Sequence, residues 1–416
     1  MLKKTLYLAV LACLFLTGCF LGADGGSMDS RDAGGIEFGD EPVQESPVLP
    51  PEDVYRQATV AAVGDIMVHR TQYVRAYNPQ TGHYDFRPSF EAIASYLQEA
   101  DLVVGNLETT FGGEMRGFSA YPRFNSPDGI ALALQEAGFD LLCTANNHCL
   151  DTGEKGLYRT IEVIEETGMK HFGTARNREE RDSPLIVEVN GIKLFFLAYT
   201  YGTNGLPIPK GKEYIVNLLV EEQMIADLAG ARRQGADLVI LYLHWGEEYC
   251  SEPSEGQKRL ARVAAQAGAD IILGSHPHII QPMEYITVPG EQGVEKRVFV
   301  AYSMGNFLSN QHRVEGSIST DEVEFGKILY LHLEKNVNTG EAYLRDVNYE
   351  LTWVNRDDKH RILPLNSVFD EGSKGHVALS AALVGRLKRD GERLQERLKG
   401  FEQAAPRMTV PVGAAK

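Results

Sequence analysis

Short apolar runs, each followed by polar side chains, recur along this chain. The runs cover residues 60–63, 102–104, 141–143, 238–243 and 271–273. They show no apolar–polar alternation, which is typical of strands buried on both faces. Stretches with helical spacing and a terminal glycine precede several of them, and glycine favours the end of a helix. This alternation of helices and strands predicts an α/β fold.

Two further patterns predict antiparallel strands. The segment 186–194 has Asn190-Gly191 at its centre, which is a strong hairpin signal. Residues 327–333 and 342–348 form a second predicted strand pair. The predicted sheets are therefore mixed, with antiparallel strands added toward the C-terminal half.

The N-terminus has the features of a targeting segment. A basic start at Lys3 and Lys4 precedes an apolar stretch that is too short to span a bilayer. It ends in Leu16-Thr17-Gly18-Cys19, which resembles a bacterial lipoprotein cleavage box with Cys19 as the lipidated residue. An ordinary signal peptide with a chance cysteine is the alternative. We expect a lipid-anchored protein on the extracytoplasmic face of a bacterial cell membrane.

Composition then divides the chain into segments. A stretch rich in glycine, acidic residues, serine and proline follows Cys19 and cannot build a core. Apolar residues at helical spacing near the C-terminus predict one or two helices. The predicted segments are a lipoprotein signal peptide (1–18), a flexible tether (19–57), one folded domain (58–355), a C-terminal helical extension (356–405) and a disordered tail (406–416).

Charge and cysteine content narrow the function. The 416 residues carry a formal net charge of −16, which disfavours binding to nucleic acid. Cys143, Cys149 and Cys250 remain after the N-terminal segment, and an odd number does not indicate a disulfide framework. Cys149 and Cys250 could pair, bind metal or do neither, and we favour the last.

Polar residues at the ends of the first two runs are candidate metal ligands. Asp65 follows the run 60–63, and Asn106 and Glu108 follow the next run. Carboxyl ends of strands converge in open α/β sheets, and carboxylates suit hard divalent ions. Glu108 could bridge two metals, act as a base, or be a solvated loop acid. His69 is an additional candidate if a helical turn places it beside Asp65.

The segment after the third run suggests acid–base chemistry. Asn147 offers an amide oxygen as a ligand, and the neighbouring His148 is a candidate general acid because imidazole changes charge near neutral pH. Asp151 could orient that histidine. An asparagine-rich turn without chemistry is the alternative.

Three histidines follow the later runs. His244 ends the run 238–243, and His276 and His278 flank a proline after the next run. Buried histidines without a metal would need other partners, which favours a metal site. Ser303 and Asn306, after an apolar run ending at residue 302, are further candidates.

Taken in order, six motifs are similar to those of the CapA family, named for poly-γ-glutamate capsule synthesis, within the calcineurin-like metallophosphoesterase superfamily. The motifs are Val63-Gly64-Asp65-Ile66-Met67, Gly105-Asn106-Leu107-Glu108, Thr144-Ala145-Asn146-Asn147-His148, Leu243-His244-Trp245-Gly246, Gly274-Ser275-His276-Pro277-His278 and Tyr302-Ser303-Met304-Gly305-Asn306-Phe307. The resemblance spans roughly residues 58–309. It implies a four-layer αββα sandwich, with two mixed sheets between layers of helices and C-terminal helices added.

The resemblance also implies one or two divalent ions, with Mn, Zn, Fe and Mg not distinguished. The implied ligands are Asp65, Glu108, Asn147, His244, His276 and His278. Two positions depart from the superfamily pattern: Met67 stands at the first histidine position, and Asn106 replaces the bridging aspartate. We hypothesise that one metal position is weakened, or rebuilt with His69 or Glu108.

These observations lead to alternative functions. The first is a metal-dependent hydrolase or phosphoesterase in the biosynthesis of poly-γ-glutamate capsule or a related envelope polymer, with His148, Asp151 and Glu108 in catalysis. The second is a non-catalytic subunit that binds metal and polymer and assists a membrane synthase or exporter. A purely structural lipoprotein would leave the ligand clusters without a purpose. The expected partners are an anionic envelope polymer or its precursor, membrane synthase subunits, and the membrane itself through the N-terminal lipid.

Overall fold

The computed structural model describes residues 53–290, 295–369 and 379–402. The predicted signal peptide, the lipidation site Cys19, the predicted tether up to residue 52 and the C-terminal tail lie outside the described residues. Within the described ranges, none of the helices combines the length and apolarity needed to cross a membrane.

Strands and helices alternate through most of the described chain. The strands are β1 (Tyr55–Ile66), β2 (Tyr77–Asn78), β3 (His83–Tyr84), β4 (Leu102–Leu107), β5 (Leu141–Cys143), β6 (Lys170–Phe172), β7 (Leu185–Val189), β8 (Ile192–Thr200), β9 (Leu238–His244), β10 (Ile271–Ser275), β11 (Met283–Pro289), β12 (Glu295–Ala301), β13 (Asn306–Leu308), β14 (Phe325–Asn336), β15 (Ala342–Asn355) and β16 (Arg361–Pro364). The α-helices are α1 (Arg70–Ala76), α2 (Arg87–Phe90), α3 (Ala94–Leu97), α4 (Gly129–Ala137), α5 (Gly153–Glu166), α6 (Arg178–Asp182), α7 (Glu221–Arg233), α8 (Glu255–Ala267), α9 (Leu365–Phe369) and α10 (Ala381–Glu402).

Two mixed sheets form the centre of the fold. The first sheet has the order β16-β15-β14-β1-β4-β5-β6, with β13 also paired to β1. The second sheet has the order β11-β12-β10-β9-β8-β7. Strands β1, β4, β5 and β6 run parallel, as do β8, β9, β10 and β12. The remaining long strands join the sheets antiparallel, so the prediction of mixed sheets is confirmed.

Alternate residues of the central strands face different layers. In β1, Val60 packs between the two sheets, whereas Ala61 packs with the helices outside the first sheet. In β9, Ile240 faces the space between the sheets and Val239 packs with α7 and α8. Each central strand is therefore buried on both faces, which explains the uninterrupted apolar runs. The predicted four-layer αββα sandwich is confirmed.

The two predicted antiparallel pairs are also confirmed. Strands β7 and β8 form a hairpin in which Asn190 and Gly191 have φ angles of 50° and 80°. Positive φ at both central residues suits the twist of a tight hairpin, and glycine adopts it without a Cβ penalty. Strands β14 and β15 pair from Phe325 with Trp353 to Lys335 with Ala342.

The structure differs from the predicted segment boundaries at two places. Strand β1 begins at Tyr55, inside the predicted tether, because its first residues pair with the end of β14. These residues are exposed, so no apolar pattern marked them as a strand. Strand β16 lies inside the predicted helical extension and pairs with β15. Helix α10 follows and buries Leu387, Leu394 and Leu398, as the helical spacing predicted.

A buried lysine interrupts the apolar inner face of β14. Lys327 is fully buried, and its Nζ has no hydrogen-bond partner among the described residues. Burial, followed by repulsion from Arg397, lowers the pKa of Lys327 from 10.5 to about 7. An unpaired charge at this place destabilises the folded state.

We predict that Lys327→Met stabilises the protein in a pH-dependent way. Between about pH 7 and 10.5 the unfolded chain binds the proton that the folded lysine has released, so the stability of the wild type rises with pH in this window. The increase in the free energy of unfolding that the substitution causes should therefore be roughly 2–3 kcal/mol larger near pH 6 than near pH 9. Denaturant unfolding at the two pH values measures this difference.

Lys335→Met on the same strand is the matched control. The Nζ of Lys335 donates to both carboxylate oxygens of Asp237 at 2.7 Å. Its removal should lower stability at both pH values. An equal loss of stability in the Lys327 variant would contradict the prediction.

Candidate metal centre

The site forms where the carboxyl ends of parallel strands from the two sheets meet. Asp65 lies near the end of β1, and Glu108 directly follows β4 of the same sheet. His244 ends β9, and Ser275 ends β10, in the second sheet. The Nδ1 atom of His278, just beyond β10, lies 3.0 Å from Asp65 Oδ2 and links the two sheets. The strand ends that carry the sequence motifs therefore converge, as the α/β pattern predicted.

A close backbone approach fixes the end of β1. The amide N–H of Asp65 donates to Gly305 O at 2.9 Å. A Cβ atom on Gly64 would lie only 1.9 Å from the same oxygen. Glycine is therefore required here for the loop before β13 to pack against β1 and hold the carboxylate of Asp65 in place.

Asn106 joins the two buried carboxylates of the first sheet. Its Nδ2 donates to Asp65 Oδ1 at 2.8 Å and to Glu108 Oε2 at 3.3 Å. Asn106 and Glu108 thus lie on one side of the extended backbone, because alternate residues of a strand point to the same face. Asn146 donates in turn to Asn106 Oδ1 at 3.2 Å and to the backbone carbonyl of Leu107 at 2.7 Å. The amides hold the acidic groups in a defined arrangement.

Asn147 and His244 meet across the gap between the sheets. The Nε2 atom of His244 lies 2.9 Å from Asn147 Oδ1, and its Nδ1 lies 2.9 Å from Ser275 Oγ. The hydroxyl of Ser275 therefore orients the imidazole while Nε2 faces the site. The amide Nδ2 of Asn147 also donates to Asn204 Oδ1 at 3.3 Å.

The backbone of the segment 276–278 is strained. His276 and His278 have φ angles of 97° and 59°, in a region that side chains other than glycine rarely adopt. Such conformations cost about 1–3 kcal/mol each and persist where the surrounding structure enforces them. Tyr249 N donates to Pro277 O at 2.8 Å, and His276 N donates to Asp65 Oδ2 at 3.4 Å, so both sides of the turn are held.

Burial sets the charge of the site. It raises the pKa of Glu108 well above its usual value, and the neighbouring Asp65 raises it further. Burial also lowers the pKa of His244 well below 6.5 and that of His276 to about 3, aided by adjacent histidines. These two imidazoles are therefore neutral at physiological pH, which is the form that binds metal ions.

The residues fit a divalent metal ion. At this site, three sets of ligand atoms lie within 4.8 Å of one another: Glu108, His244 and His276; Asp65, Glu108 and His278; and Glu248, His276 and His278. Glu108 Oε1 and His276 Nδ1 are buried and have no hydrogen-bond partner among the described residues. Buried polar atoms without partners are costly, and a cation would satisfy them. Carboxylate oxygens with imidazole nitrogens suit the divalent ions that proteins use.

A histidine–aspartate pair lies beside these ligands. His148 Nδ1 is 2.7 Å from Asp151 Oδ2, which also accepts the backbone N–H of Phe124 at 2.6 Å. The Phe124 ring packs edge-on against the His148 ring, with 4.7 Å between the centroids. His148 also contributes to the lowered pKa of His244. The predicted general acid is thus oriented by the predicted partner and close to the ligand set.

Three further predicted residues lie outside the ligand sets. His69 Nδ1 is 3.2 Å from Gln72 Oε1 and 3.3 Å from Asn310 N, and burial lowers the pKa of His69 to about 4. The hydroxyl of Ser303 accepts the N–H of Gly305 at 3.3 Å. Asn306 Nδ2 donates to Gln311 Oε1 at 2.8 Å and to Val323 O at 2.9 Å. These side chains support the surrounding loops, and their assignment to the site stays a prediction.

Two residues of the loop after β8 were missed from the sequence. Tyr201 places its ring 4.6 Å from that of His276, measured between centroids. Asn204 contacts Asn147, and its Nδ2 lies 3.5 Å from His148 Nε2. Their signal was available, because they follow a buried apolar run that proved to be a parallel strand.

The cysteines take no part in the ligand sets of the described residues. Cys143, Cys149 and Cys250 are free thiols. Burial raises the pKa of Cys149 to about 12, which disfavours the thiolate needed for metal binding. Of the alternatives left open by the sequence, pairing of Cys149 with Cys250 is not what this structure contains.

The sequence matches a protein family over the region that builds this site. The family model of the bacterial capsule synthesis protein PGA_cap matches residues 59–311. The chain belongs to this family. All the ligand sets described above lie inside the matched region.

The relatives include two proteins of Bacillus species. The capsule biosynthesis protein CapA of Bacillus anthracis is 31% identical over 262 residues, which cover 61% of this chain and 60% of the relative. The PGA biosynthesis protein CapA of Bacillus subtilis is 27% identical over 277 residues, covering 66% of this chain and 67% of the relative. The similarity thus extends over only part of each relative.

Solved structures with a similar arrangement include phosphoesterases and nucleotidases. The calcineurin-like phosphoesterase YfkN of Bacillus subtilis has a TM-score of 0.42 at 15% identity, covering 83% of this chain and 99% of that chain. The NAD nucleotidase NadN of Haemophilus influenzae has a TM-score of 0.43 at 14% identity, covering 82% and 61%.

We predict that Glu108→Gln has opposite effects with and without metal. Without a cation the substitution removes a buried, unpartnered carboxylate oxygen and should raise the unfolding temperature. Mn²⁺ or Zn²⁺ at 100 times the dissociation constant should raise the free energy of unfolding of the wild type by about 2.7 kcal/mol. The same ion should raise that of the variant much less. Calorimetry of the full chain with and without the ion measures both effects.

Glu188→Gln, at an exposed position of β7, serves as the control. It should change neither the unfolding temperature without metal nor the stabilisation by metal. Equal stabilisation of the Glu108 variant and the wild type by both ions would show that Glu108 is not a ligand.

Proposed function

We propose that this protein is a metal-dependent hydrolase or phosphoesterase that acts in the biosynthesis of a capsule or related cell-envelope polymer. One observation carries the proposal: three overlapping sets of ligand atoms lie beside an oriented histidine, and two of the sets contain Glu108, whose Oε1 has no hydrogen-bond partner within the described residues. A structural domain would not require buried carboxylates and neutral imidazoles to converge in this way.

The metal ligands of the proposal come from both sheets. Asp65 and Glu108 supply carboxylate oxygens, and His244, His276 and His278 supply imidazole nitrogens. Asn147 Oδ1, beside His244 Nε2, adds a neutral oxygen ligand. One or two ions among Mn, Zn, Fe and Mg fit this set. A bound divalent ion would polarise a phosphoryl or acyl oxygen of the substrate and favour deprotonation of the attacking water.

His148 is the proposed proton donor to the leaving group. Asp151 holds Nδ1 of the ring, so Nε2 is the atom that can reach the substrate. Asn204, 3.5 Å from Nε2, is close enough to position a substrate oxygen there. The edge of Phe124 shields one side of the ring from water. The chain itself thus orients the donor and excludes solvent from it.

The proposed substrate is based on the names of the relatives and on the net charge of the chain. The relatives carry names that refer to capsule, PGA and polyglutamine synthesis. A net charge of −16 would repel a polyanion in general, whereas a divalent ion at this centre would attract it locally. We therefore propose poly-γ-glutamate, a related anionic envelope polymer or its precursor as the substrate, with membrane synthase subunits as partners.

One observation favours a second function. Asn106 places a neutral amide, donating to both Asp65 and Glu108, at the centre of the ligand set. A neutral group there lowers the negative charge available to two ions and favours binding over catalysis. The alternative is a non-catalytic subunit that binds metal and polymer and assists a synthase or exporter.

We predict that His148→Ala abolishes turnover without releasing the metal. Loss of a general acid costs about 10²–10⁴ in rate. The full chain, purified in detergent and loaded with Mn²⁺ or Zn²⁺, would be assayed on aryl phosphate mono- and diesters and on poly-γ-glutamate. Asp151→Asn should also lower kcat, because an amide in place of the carboxylate favours the wrong tautomer of the ring.

His83→Ala, at an exposed histidine of β3, is the matched control and should retain wild-type turnover. If the wild type binds metal but shows no His148-dependent hydrolysis of any of these substrates, the proposal of an enzyme is contradicted. That result would support the alternative of a non-catalytic binding subunit.

We further propose that Cys19 is lipidated and anchors the protein to the extracytoplasmic face of the membrane. The support is the motif Leu16-Thr17-Gly18-Cys19 after a short apolar stretch. A tether of polar composition would then hold the folded domain away from the membrane.

We predict that Cys19→Ser abolishes incorporation of labelled fatty acid in cells that express the full chain. Cys13→Ser, inside the apolar stretch, should leave labelling intact. Incorporation that persists in the Cys19 variant would refute lipidation at this residue.

A further inference from the structure

We propose that Glu248 is a metal ligand. Its carboxylate would reach the ion-binding position beside His278 from the solvent side. The proposal rests on the metal-dependent function above and adds a residue that the sequence motifs did not assign. It identifies an outer ligand set, Glu248 with His276 and His278, next to the inner set of Asp65, Glu108 and His278.

The two sets share His278. In each, one ligand atom per residue lies within 4.8 Å of the others, so His278 has carboxylates of both sets close to its ring nitrogens. The inner set alone offers two carboxylates and one imidazole. Divalent ions in proteins take four or more ligands, so the inner set leaves at least one coordination position open to a further donor.

Met67 does not supply that donor. Its side chain is buried, and its sulfur lies 3.9 Å from Ser309 Oγ. A thioether is a soft ligand that binds hard divalent ions poorly. His69, the other nearby candidate, has its Nδ1 within hydrogen-bond distance of Gln72 and Asn310. Glu248 is the remaining acidic group grouped with these histidines.

The backbone holds Glu248 in this place. The next residue, Tyr249, donates its N–H to Pro277 O at 2.8 Å, which fastens the loop to the segment between the two histidines. The Tyr249 ring also packs against His278, with 6.1 Å between the centroids. Tyr249 adopts a φ of 63°, and Gly246 one of 87°, so the chain turns sharply after His244. This turn places the exposed Glu248 beside His276 and His278, at the solvent-facing edge of the site.

The charges at this place also call for a cation. The inner set contains two carboxylates, Asp65 and Glu108, and Glu248 brings a third to the histidine that the two sets share. The ion pairs of Asp65 and Glu108 within the described ranges are with histidines only. In the outer set, the buried His276 has an unpartnered Nδ1. A bound cation would relieve the repulsion and satisfy that nitrogen.

Glu247 offers a matched control one residue away. It is also exposed and acidic, but its carboxylate lies 3.8 Å from Cys250 Sγ and belongs to none of the ligand sets in the described residues. Substituting either glutamate by glutamine removes the same charge from the same loop. Only one of the two substitutions removes the proposed ligand.

The test is calorimetric titration of the full chain with Mn²⁺ and, separately, Zn²⁺. Loss of a group that only supports a ligand typically costs about 10–100-fold in metal affinity, so loss of a ligand should cost at least about 10-fold. We expect Glu248→Gln to lower the affinity for one ion by this factor or more. Glu247→Gln should stay close to the wild type.

Equal affinities in the two variants would overturn the proposal, whether or not both differ from the wild type. Failure of the wild type to bind either ion would overturn both this inference and the proposed function. If metal binding depends on Glu248 but no His148-dependent hydrolysis is found, Glu248 is supported as a metal ligand. Only the proposed enzymatic function would then be rejected.

Discussion

The site depends on buried negative charge at the junction of the two sheets. Asp65 and Glu108 are fully buried, and the ion-pair contacts that they make within the described residues are with the imidazoles of His244 and His278. Carboxylates in a low-dielectric interior are costly unless a cation or several donors compensate them. The amide of Asn106 compensates part of this charge, and a divalent ion is the compensation that the remaining unpartnered atoms fit.

The surrounding backbone is built to maintain this costly arrangement. Gly64 allows a carbonyl to approach the end of β1 more closely than any side chain would permit. His276 and His278 are held at positive φ, a conformation that needs support from neighbouring contacts. The large core between the two sheets supplies that support. Stability elsewhere in the sandwich thus offsets the strain and desolvation at its edge.

The side chains of the site form one connected network. Asn146 links Asn106 to the backbone of β4 and accepts the N–H of His148 at 3.2 Å. Asn147 connects His244 to Asn204, which in turn approaches His148. Substitutions within such a network are not additive, so the role of each residue has to be read from matched pairs of variants.

The resemblance to a known family implied the αββα layers, whereas the residues themselves determined the alternation of helices and strands, the hairpin at Asn190-Gly191 and the strand ends that carry the ligands. These features follow from local periodicity and turn chemistry, which depend on neighbouring residues only. The sequence could not give the strand formed by residues 55–57, because those exposed positions become a strand only by pairing with β14. It gave His278 as a ligand and His69 as an additional candidate, and only the structure shows that His278 contacts Asp65 whereas the Nδ1 of His69 faces Gln72 and Asn310.

Only the tertiary structure decided which polar groups share one space. Glu247 and Glu248 are equivalent in the sequence, yet only Glu248 lies with His276 and His278. That difference arises from a sharp turn and a backbone hydrogen bond to Pro277, contacts between residues distant in the chain. Local sequence fixes where a strand ends, whereas the packing of two sheets fixes which side chains meet there, because that geometry depends on the whole core.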